Sequence, residues 1–204
     1  MKTCSQSDVE AVDQRRVEDA IESSQQRLWD EDRLLLRLDA HERSICFRLA
    51  TYLAEQFPEF DVDCEYNRNH AEGNYQKRVR NTELIDLVKR QRPRLGNEDG
   101  LMILPDIIVH IRDKPMNLLV IEAKKTSSQI PEDKDLLKLQ ALKEELGYRF
   151  ARFIKFDVGP EITSPGIADR RIGVSQQILT RQHLAFWHVE VTRGNDFIKQ
   201  RLFK

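Results

Sequence analysis

The stretch LMILPDIIVHIRDKPMNLLVIEAKK, residues 101–125, decides the fold of this chain. Two apolar, β-branched runs, Leu101–Ile111 and Leu118–Ile121, flank a turn-like break at Asp113–Met116. Apolar runs that are bounded by turn residues are typical of buried strands. The stretch therefore predicts two neighbouring strands, between which the chain turns back on itself.

Two carboxylates and a lysine stand out in these strands. Asp106 follows Pro105 in the first strand, and Glu122 and Lys124 come at the end of the second. Because side chains alternate along a strand, Glu122 and Lys124 point to one face and Ala123 points to the other. Two carboxylates and an ammonium that converge in an apolar setting indicate a functional site.

The register of the hairpin decides whether the two carboxylates meet. With a two-residue loop at Lys114–Pro115, regular pairing would set Asp106 opposite Ala123, so that Asp106 would point away from Glu122. We therefore expect an odd-length loop, or a β-bulge near Leu104–Pro105, to bring both acids to one face.

Helices and strands are predicted on both sides of this hairpin. A capping box with Asp39 as its N-cap and Glu42 three residues later starts a helix that ends before Pro58. Pro131 starts a second helix, and Gly147 ends it. The other expected elements are a strand at Phe60–Tyr66, a short helix from about Asn81 to before Pro93, a strand at Tyr148–Val158, a loop and a helix in residues 159–183, a strand at Leu184–Val191 and a helical tail at Asp196–Phe203.

The order of these elements predicts an α/β fold in which helices flank a mixed central sheet. A strand–helix–strand run implies a crossover to a parallel neighbour. We expect an N-terminal helical arm, residues 1–38, that packs on the main domain, residues 39–204, or on a second copy of the chain. A basic stretch at about 68–100 interrupts the order and is interpreted as an insertion.

Composition is typical of a globular protein. A third of the 204 residues are charged, but the formal net charge is −1, so any attraction to nucleic acid must come from a local patch. The sequence has no apolar run of membrane-spanning length and no signal peptide at its start, so we expect a cytoplasmic protein. Cys4, Cys46 and Cys64 are widely spaced and predict neither a disulfide framework nor a zinc motif.

The motif and the order of elements resemble those of the PD-(D/E)XK nuclease superfamily, the restriction-endonuclease-like fold. The family pattern is Pro-Asp, a variable gap, Asp or Glu, any residue and Lys. In this chain it stands as Pro105-Asp106 and Glu122-Ala123-Lys124. Family members share an α-β-β-β-α-β core, which residues 39–158 match apart from the basic insertion. Many members also carry a glutamate on the first core helix, where this chain has Glu42.

The resemblance implies a divalent-metal-dependent endonuclease that hydrolyses phosphodiester bonds of DNA and leaves a 5′-phosphate and a 3′-hydroxyl. Mg²⁺, with Mn²⁺ as a substitute, would be held by Asp106, Glu122, the backbone carbonyl of Ala123 and Glu42, since hard cations prefer oxygen ligands. Lys124 would orient and help deprotonate the attacking water, or stabilise charge in the transition state; both roles stay open. Glu42 is also explained as an acidic first-turn residue of its helix.

Charge repulsion also argues for a cation. Two unit charges about 4 Å apart repel by roughly 4 kcal/mol at an effective dielectric constant near 20. Lys124 can offset one carboxylate, but not Asp106, Glu122 and Glu42 together. Without a cation, one of these carboxyl groups should keep its proton, with a raised pKa.

DNA contacts are expected outside the motif. Basic residues of the insertion would bind backbone phosphates rather than read bases, although a solvated surface also explains them. The helix after the motif carries two polar residues where family members often place a group near the phosphate, although an ordinary exposed helix face explains them as well. The residues assigned to DNA binding are Arg68, Lys77, Arg78, Arg80, Lys138 and Gln140.

Two other functions stay open. A nucleic-acid-binding or assembly subunit with weak or absent cleavage would use the same scaffold, but intact Asp106, Glu122 and Lys124 count against a degenerate copy. A partner-dependent effector would be active only inside a larger complex. For the nuclease itself, cutting a duplex suggests a homodimer joined through the N-terminal arm, because one site cuts one strand.

Overall fold

Helices and strands occupy most of the part of the chain that can be described. The computed structural model describes residues 5–69, 75–91, 100–112, 114–164, 167–171, 192–193 and 196–197. The helices are α1 (Gln6–Ala11), α2 (Gln14–Arg37), α3 (Glu42–Gln56), α4 (Thr82–Gln91) and α5 (Asp133–Leu146). The strands are β1 (Asp61–Cys64), β2 (Arg68–Asn69), β3 (Tyr75–Gln76), β4 (Arg78–Val79), β5 (Leu101–Met102), β6 (Ile107–Ile111), β7 (Met116–Lys125), β8 (Phe150–Phe156), β9 (Ile167–Arg171), β10 (Thr192–Arg193) and β11 (Asp196–Phe197). Among these described helices, none combines the length and the apolar character required to cross a bilayer.

A five-stranded mixed sheet lies at the centre of the fold, with the strand order β1-β6-β7-β8-β9. β7 and β8 are parallel, as the predicted crossover through α5 requires, and the other neighbouring pairs are antiparallel. Along the chain, α3, β1, β6, β7, α5 and β8 follow one another, and the short elements β2–β5 and α4 are inserted between β1 and β6. The predicted class, α/β with a mixed sheet flanked by helices, is confirmed.

Helices cover both faces of this sheet. On one face, side chains of α1, α2 and α3 share a hydrophobic cluster with Ile121 and Ala123 of β7. On the other face, α4 and α5 form a second cluster with Val120. Alternation along β7 produces this division, since successive side chains point to opposite faces. Glu122 and Lys124 share the face of Val120 and therefore point toward α5.

A β-bulge in β7 sets the register of the hairpin. The pairs around it are Ile107–Ile121, Val109–Leu119 and His110–Asn117, which leave Leu118 between two pairs. Leu118 and Leu119 consequently pack in the same hydrophobic cluster, although they are neighbours in a strand. The expected bulge is present, but its predicted position near Leu104–Pro105 was wrong. The last pair before the turn is Ile111–Met116, so without the bulge the same register would set Asp106 opposite Ile121 instead of Glu122.

α3 does not begin with the predicted capping box. Its N-cap is His41, whose Nδ1 accepts a hydrogen bond from the N–H of Arg43, so Glu42 is the first helical residue. Asp39 has a positive φ of 49°, and its carboxylate binds the ammonium of Lys125 at 2.7 Å. The prediction of Asp39 as N-cap was wrong because Asp39 adopts the left-handed turn conformation after α2, whereas an N-cap is extended.

The N-terminal helices are packed into the main hydrophobic core. Val12, Val17 and Leu28 have no solvent exposure and lie in one cluster with α3 and the sheet. At a kink in α2, the carboxylate of Asp32 binds the guanidinium of Arg48 at 2.6 Å and so links α2 to α3. The apolar stripe of the predicted arm therefore packs on the chain's own domain.

The basic insertion contains a helix where one was predicted. α4 spans Thr82–Gln91, and the side chain of Asn81 caps it by accepting a hydrogen bond from the N–H of Leu84 at 2.9 Å. The short strands pair only with each other, β2 with β3 and β4 with β5. The insertion therefore adds two short strand pairs and a helix beside the central sheet without changing its strand order.

The predictions beyond β8 were less successful. Ile167–Arg171 forms β9, where a loop and a helix were expected, because this segment covers the edge of β8 by antiparallel pairing. Asp196–Phe197 forms a strand, so the helical tail predicted from Asp196 was wrong at these two residues. The strand predicted at Leu184–Val191 lies outside the described residues.

Candidate functional site

The two motif acids meet where β6 begins and β7 ends. Continuing the register one pair beyond Ile107 and Ile121 sets Asp106 opposite Glu122. The carboxylate of Asp106 also accepts a hydrogen bond from the N–H of Ala123 at 2.8 Å. The bulge thus brings the acids onto one face, as the sequence analysis required.

Burial makes a negative charge on Asp106 unfavourable. Loss of solvent raises the pKa of Asp106, and the Lys138 ammonium and the Ala123 N–H act in the opposite direction. The carboxylates of Asp135 and Glu65 then add to the increase. Because the net effect is a raised pKa of Asp106, a cation beside its carboxylate would stabilise the ionised form.

Glu122 is buried more deeply, with 2% of the residue exposed. Its Oε2 accepts a hydrogen bond from the Lys138 ammonium at 2.7 Å, whereas its buried Oε1 has no hydrogen-bond partner among the described residues. Burial raises the pKa of Glu122 well above its ordinary value, Lys138 opposes this, and Asp106 adds to it. An unpartnered buried polar atom costs about 1–3 kcal/mol, so a ligand that bound Oε1 would recover free energy there.

α5 places an acid and a base opposite the acid and the base of β7. Asp135 and Lys138 are three residues apart and therefore share a helix face. Lys138 binds Glu122, while the ammonium of Lys124 binds Asp135 and lies 3.3 Å from the carbonyl oxygen of Pro131. Two ion pairs consequently join the strand to the helix.

Lys138 lies beside Glu122 and within electrostatic range of Asp106. Its ammonium binds Glu122 and also donates to the carbonyl oxygen of Leu104, two residues before Asp106. Burial acts to lower the pKa of Lys138, but Glu122 and Asp106 outweigh it and raise the pKa above the ordinary value. The amine is therefore charged at neutral pH at the point where the acids converge.

Glu42 reaches the same end of the sheet from α3. Its Oε2 accepts a hydrogen bond from the N–H of Lys125 at 3.2 Å. Burial raises the pKa of Glu42, Asp106 and Asp135 raise it further, and Lys124 lowers it. Glu42 is therefore within electrostatic range of the other acids, and its predicted role as a metal ligand stays a prediction.

Asp135 belongs to this site, although the sequence analysis did not include it. No role was predicted for it from the sequence. The available signal was the spacing of Asp135 and Lys138, which puts both on one helix face and complements Glu122 and Lys124 of β7.

The predicted DNA-binding residues occupy different environments. Arg68, Arg78 and Arg80 are exposed, and the guanidinium of Arg78 donates to the carbonyl oxygen of Gly100 at 3.0 Å. The amide of Gln140 binds the carboxylate of Glu144 one turn further along α5. Lys138 lies in the acidic site, and Lys77 is buried.

The burial of Lys77 does not support its predicted role at a phosphate. Only 2% of the residue is exposed, and its ammonium donates to the carbonyl oxygen of Arg68 and lies 4.9 Å from the centroid of the Tyr66 ring. Burial lowers the pKa of Lys77 to about 8, although Asp63 acts to raise it. Lys77 therefore attaches the insertion to the domain instead of facing solvent.

The lowered pKa of Lys77 predicts a pH-dependent stability. The unfolded chain, in which Lys77 has its ordinary pKa, binds the proton more tightly, so stability should rise as pH increases from about 8 to 10.5. The lowering of the Lys77 pKa corresponds to about 3 kcal/mol in the free energy of unfolding between these two pH values. Lys77→Met should remove this rise, which urea unfolding of both proteins at pH 7.5 and 10.5 would measure. Lys89→Met, at an exposed position of α4, is the control, and the same pH dependence in all three proteins would contradict the prediction.

The donor atoms suit a hard divalent cation that is held partly by water and substrate. Within the described ranges, no three His, Cys, Asp or Glu side chains are close enough to hold a metal ion by themselves. Mg²⁺ commonly binds one or two carboxylates and completes its octahedron with waters and phosphate oxygens. Asp106 and the unpartnered Oε1 of Glu122 fit that pattern, and the contribution of the Ala123 carbonyl stays a prediction.

Comparison with known proteins identifies no relative: no protein-family model, no curated protein and no solved structure matches this chain. What the site does must therefore be inferred from its own residues and their geometry.

Proposed function

We propose that this chain is a divalent-metal-dependent endonuclease of the PD-(D/E)XK type that hydrolyses phosphodiester bonds of DNA. One observation carries the proposal, a charge imbalance where β7 ends. Among the described residues, the carboxyl groups there are those of Glu42, Asp106, Glu122 and Asp135, and the ammonium groups that face them are those of Lys124 and Lys138. Glu65, which also acts on Asp106, is paired with the guanidinium of Arg43 and adds no net charge. With four acids and two amines ionised, the excess is two negative charges, which is the charge that one Mg²⁺ or Mn²⁺ would balance.

The raised pKa values of three of these acids support the same conclusion. Burial is the main cause for Glu42, Asp106 and Glu122, and repulsion from neighbouring carboxylates adds to it. A site that is only structural gains nothing from this arrangement, because an apolar side chain of similar size would pack there without the cost of burying a charge. Acids in such unfavourable positions are typical of functional sites.

Different residues of the site would have different roles in hydrolysis. A bound divalent cation would supply an activated water and neutralise charge on the phosphate. Asp106 and Oε1 of Glu122 would hold it, and an ammonium group beside them would stabilise the added negative charge of the transition state. Water gives its oxygen to phosphorus and loses a proton, the bond to the 3′ oxygen breaks, and that oxygen gains a proton, which leaves a 5′-phosphate and a 3′-hydroxyl.

DNA would approach the site along exposed basic side chains. Arg68, Arg78 and Arg80 are exposed and lie in the insertion between β1 and β6. Contacts of this kind bind phosphates without reading sequence and weaken steeply with salt. Because one site cuts one strand, cutting a duplex would require two copies or two successive events.

A second candidate function is a nucleic-acid-binding or assembly subunit that does not cleave. The ion pair of Lys138 and Glu122 favours it, because the ammonium already neutralises the deepest carboxylate without any metal. The same experiment separates the two functions.

The nuclease proposal predicts metal-dependent cleavage by the purified chain. Supercoiled plasmid and linear duplex would be incubated with Mg²⁺, with Mn²⁺ and with excess chelator. We expect nicked and linear products with either metal and none with chelator, and Asp106→Ala should remove activity by removing a cation ligand. DNA retention without cutting would favour the binding subunit, and cutting that persists in chelator or in Asp106→Ala would overturn the proposal.

A further inference from the structure

We propose that Lys138 of α5, and not the motif residue Lys124 of β7, supplies the ammonium that contacts the substrate phosphate. This inference rests on the proposed function, since it assigns a residue to the reaction at the same site. It departs from the role that the sequence motif gives to Lys124.

The contacts of the two amines distinguish them. Lys138 binds the carboxylate of Glu122 and the carbonyl oxygen of Leu104, so its ammonium lies beside one of the acids that would hold the cation and within electrostatic range of the other, Asp106. Lys124 binds Asp135 and approaches the carbonyl of Pro131, both in the segment that begins α5. The ammonium charge that acts most strongly on Asp106 and on Glu122 is that of Lys138.

The geometry of β7 and α5 explains why Lys138, rather than Lys124, lies beside Glu122. Lys124 lies two residues beyond Glu122 on β7, which is about 6.6 Å at the usual rise of a strand. The helix α5 runs back along β7, so Lys138 is opposite Glu122 and Asp135 is opposite Lys124. Lys124 is thus displaced by one position from the acids, and its ion pair fixes the first turn of α5.

The donors of Lys138 permit a phosphate contact without a proton transfer. An ammonium group has three N–H donors, and the described contacts of Lys138 use two of them, to Glu122 and to Leu104. The third can donate to a non-bridging phosphate oxygen once a phosphate lies beside Asp106 and Glu122. The ammonium keeps its proton and acts by stabilising negative charge as the transition state forms.

Kinetics of matched variants test this assignment. Lys138→Met, Lys124→Met and Lys134→Met would be compared at saturating Mg²⁺; Lys134 is an exposed lysine of the same helix and serves as the control. We expect Lys138→Met to lower kcat by about 10²-fold with little change in KM for DNA, because it removes one donor to the transition state. Lys124→Met should stay within about 10-fold of wild type, since it would lose only positioning of α5. Lys138→Arg should recover most of the loss.

A measurement without substrate distinguishes contact with phosphate from support of Glu122. Binding of Mn²⁺ to each folded variant would be followed by electron paramagnetic resonance, with circular dichroism as the check of folding. We expect Lys138→Met to bind Mn²⁺ at least as tightly as wild type, because an ammonium that competes for Glu122 has been removed. Weaker Mn²⁺ binding in Lys138→Met would show that Lys138 only positions Glu122 and would overturn the assignment.

Asp135→Asn covers the case in which Lys138→Met does not fold. This variant keeps both lysines and releases Lys124 from its partner, so under the assignment its kcat should stay within about 10-fold of wild type. A loss of about 10²-fold in Lys124→Met or in Asp135→Asn, with Lys138→Arg unaffected, would return the role to Lys124 and leave the nuclease proposal intact. Absence of cleavage by the wild-type chain would overturn both.

Discussion

Asparagine in place of Asp106 is expected to abolish metal-dependent cleavage and to leave the fold at least as stable as wild type. The amide oxygen can still accept the hydrogen bond from the N–H of Ala123, so the local backbone keeps its partner. The lost negative charge is the one that would hold the cation, and metal ions supply several kcal/mol of transition-state stabilisation, so we expect a loss on the order of 10³-fold in kcat.

The expected stability of Asp106→Asn follows from the pKa of Asp106. Burial raises that pKa in the folded protein, so the folded state binds the proton more tightly than the unfolded state does. The stabilisation that protonated Asp106 contributes is therefore present at low pH, and it is lost as pH rises through the pKa of Asp106 in the folded protein. Asparagine has no charge to bury, so Asp106→Asn should gain stability relative to wild type as pH rises from acid to neutral.

Urea unfolding at pH 4 and pH 7, together with the plasmid assay, would check both effects. Asp133→Asn is the matched control, because Asp133 is an exposed acid in the first turn of α5. It should change neither cleavage nor the pH dependence of stability. A variant Asp106→Asn that is strongly destabilised at pH 7 would mean that Asp106 is a structural residue.

The buried ion pair of Glu122 and Lys138 should give the largest effect on stability. Removing one partner leaves an uncompensated buried charge, so we expect Lys138→Met to lose about 3–5 kcal/mol in the free energy of unfolding. Glu122→Gln should lose a similar amount, and the double variant Glu122→Gln/Lys138→Met should lose less than the sum of the two. A double-mutant cycle from urea unfolding measures this coupling.

The control pair lies on the same helix side of the sheet. Lys155 of β8 binds Glu132 at the start of α5 at the same 2.7 Å, but 32% of the Lys155 side chain is exposed. Exposed pairs usually couple by about 0.2–1 kcal/mol, so the cycle for Lys155 and Glu132 should be several times weaker. Equal coupling energies in the two cycles would show that burial does not strengthen the pair of Glu122 and Lys138.

Local patterns in the sequence predicted the elements that carry the site. The apolar runs on either side of Asp106 and before Glu122 predicted β6 and β7, and Pro131 and Gly147 predicted the limits of α5. Periodicity suffices for such elements, because the side chains that define the period are those that become buried. The order strand–helix–strand predicted the parallel pairing of β7 and β8.

The partners of the site's side chains could not be predicted in the same way. The position of the bulge at Leu118 depends on which residues pair at the end of the hairpin, here Ile111 with Met116, and the apolar pattern does not fix that pair. The pairing of Lys124 with Asp135 depends on how α5 lies across β7, which is a tertiary relation between distant segments. The inward orientation of Lys77 was missed because a charge run was taken as a surface. Lys77 lies between β3 and β4, where burial alternates along the chain: Lys77 and Val79 are buried, and Arg78 is exposed.

Binding of Mn²⁺ to the wild-type chain and to Asp106→Asn, measured by electron paramagnetic resonance at pH 7 without DNA, tests the central claim most directly. The claim is that Asp106 and the unpartnered Oε1 of Glu122 together bind a divalent cation. We predict one bound Mn²⁺ per wild-type chain and loss of that binding in Asp106→Asn, with Asp133→Asn unchanged. Equal binding by wild type and Asp106→Asn, or no binding by either, would contradict the claim.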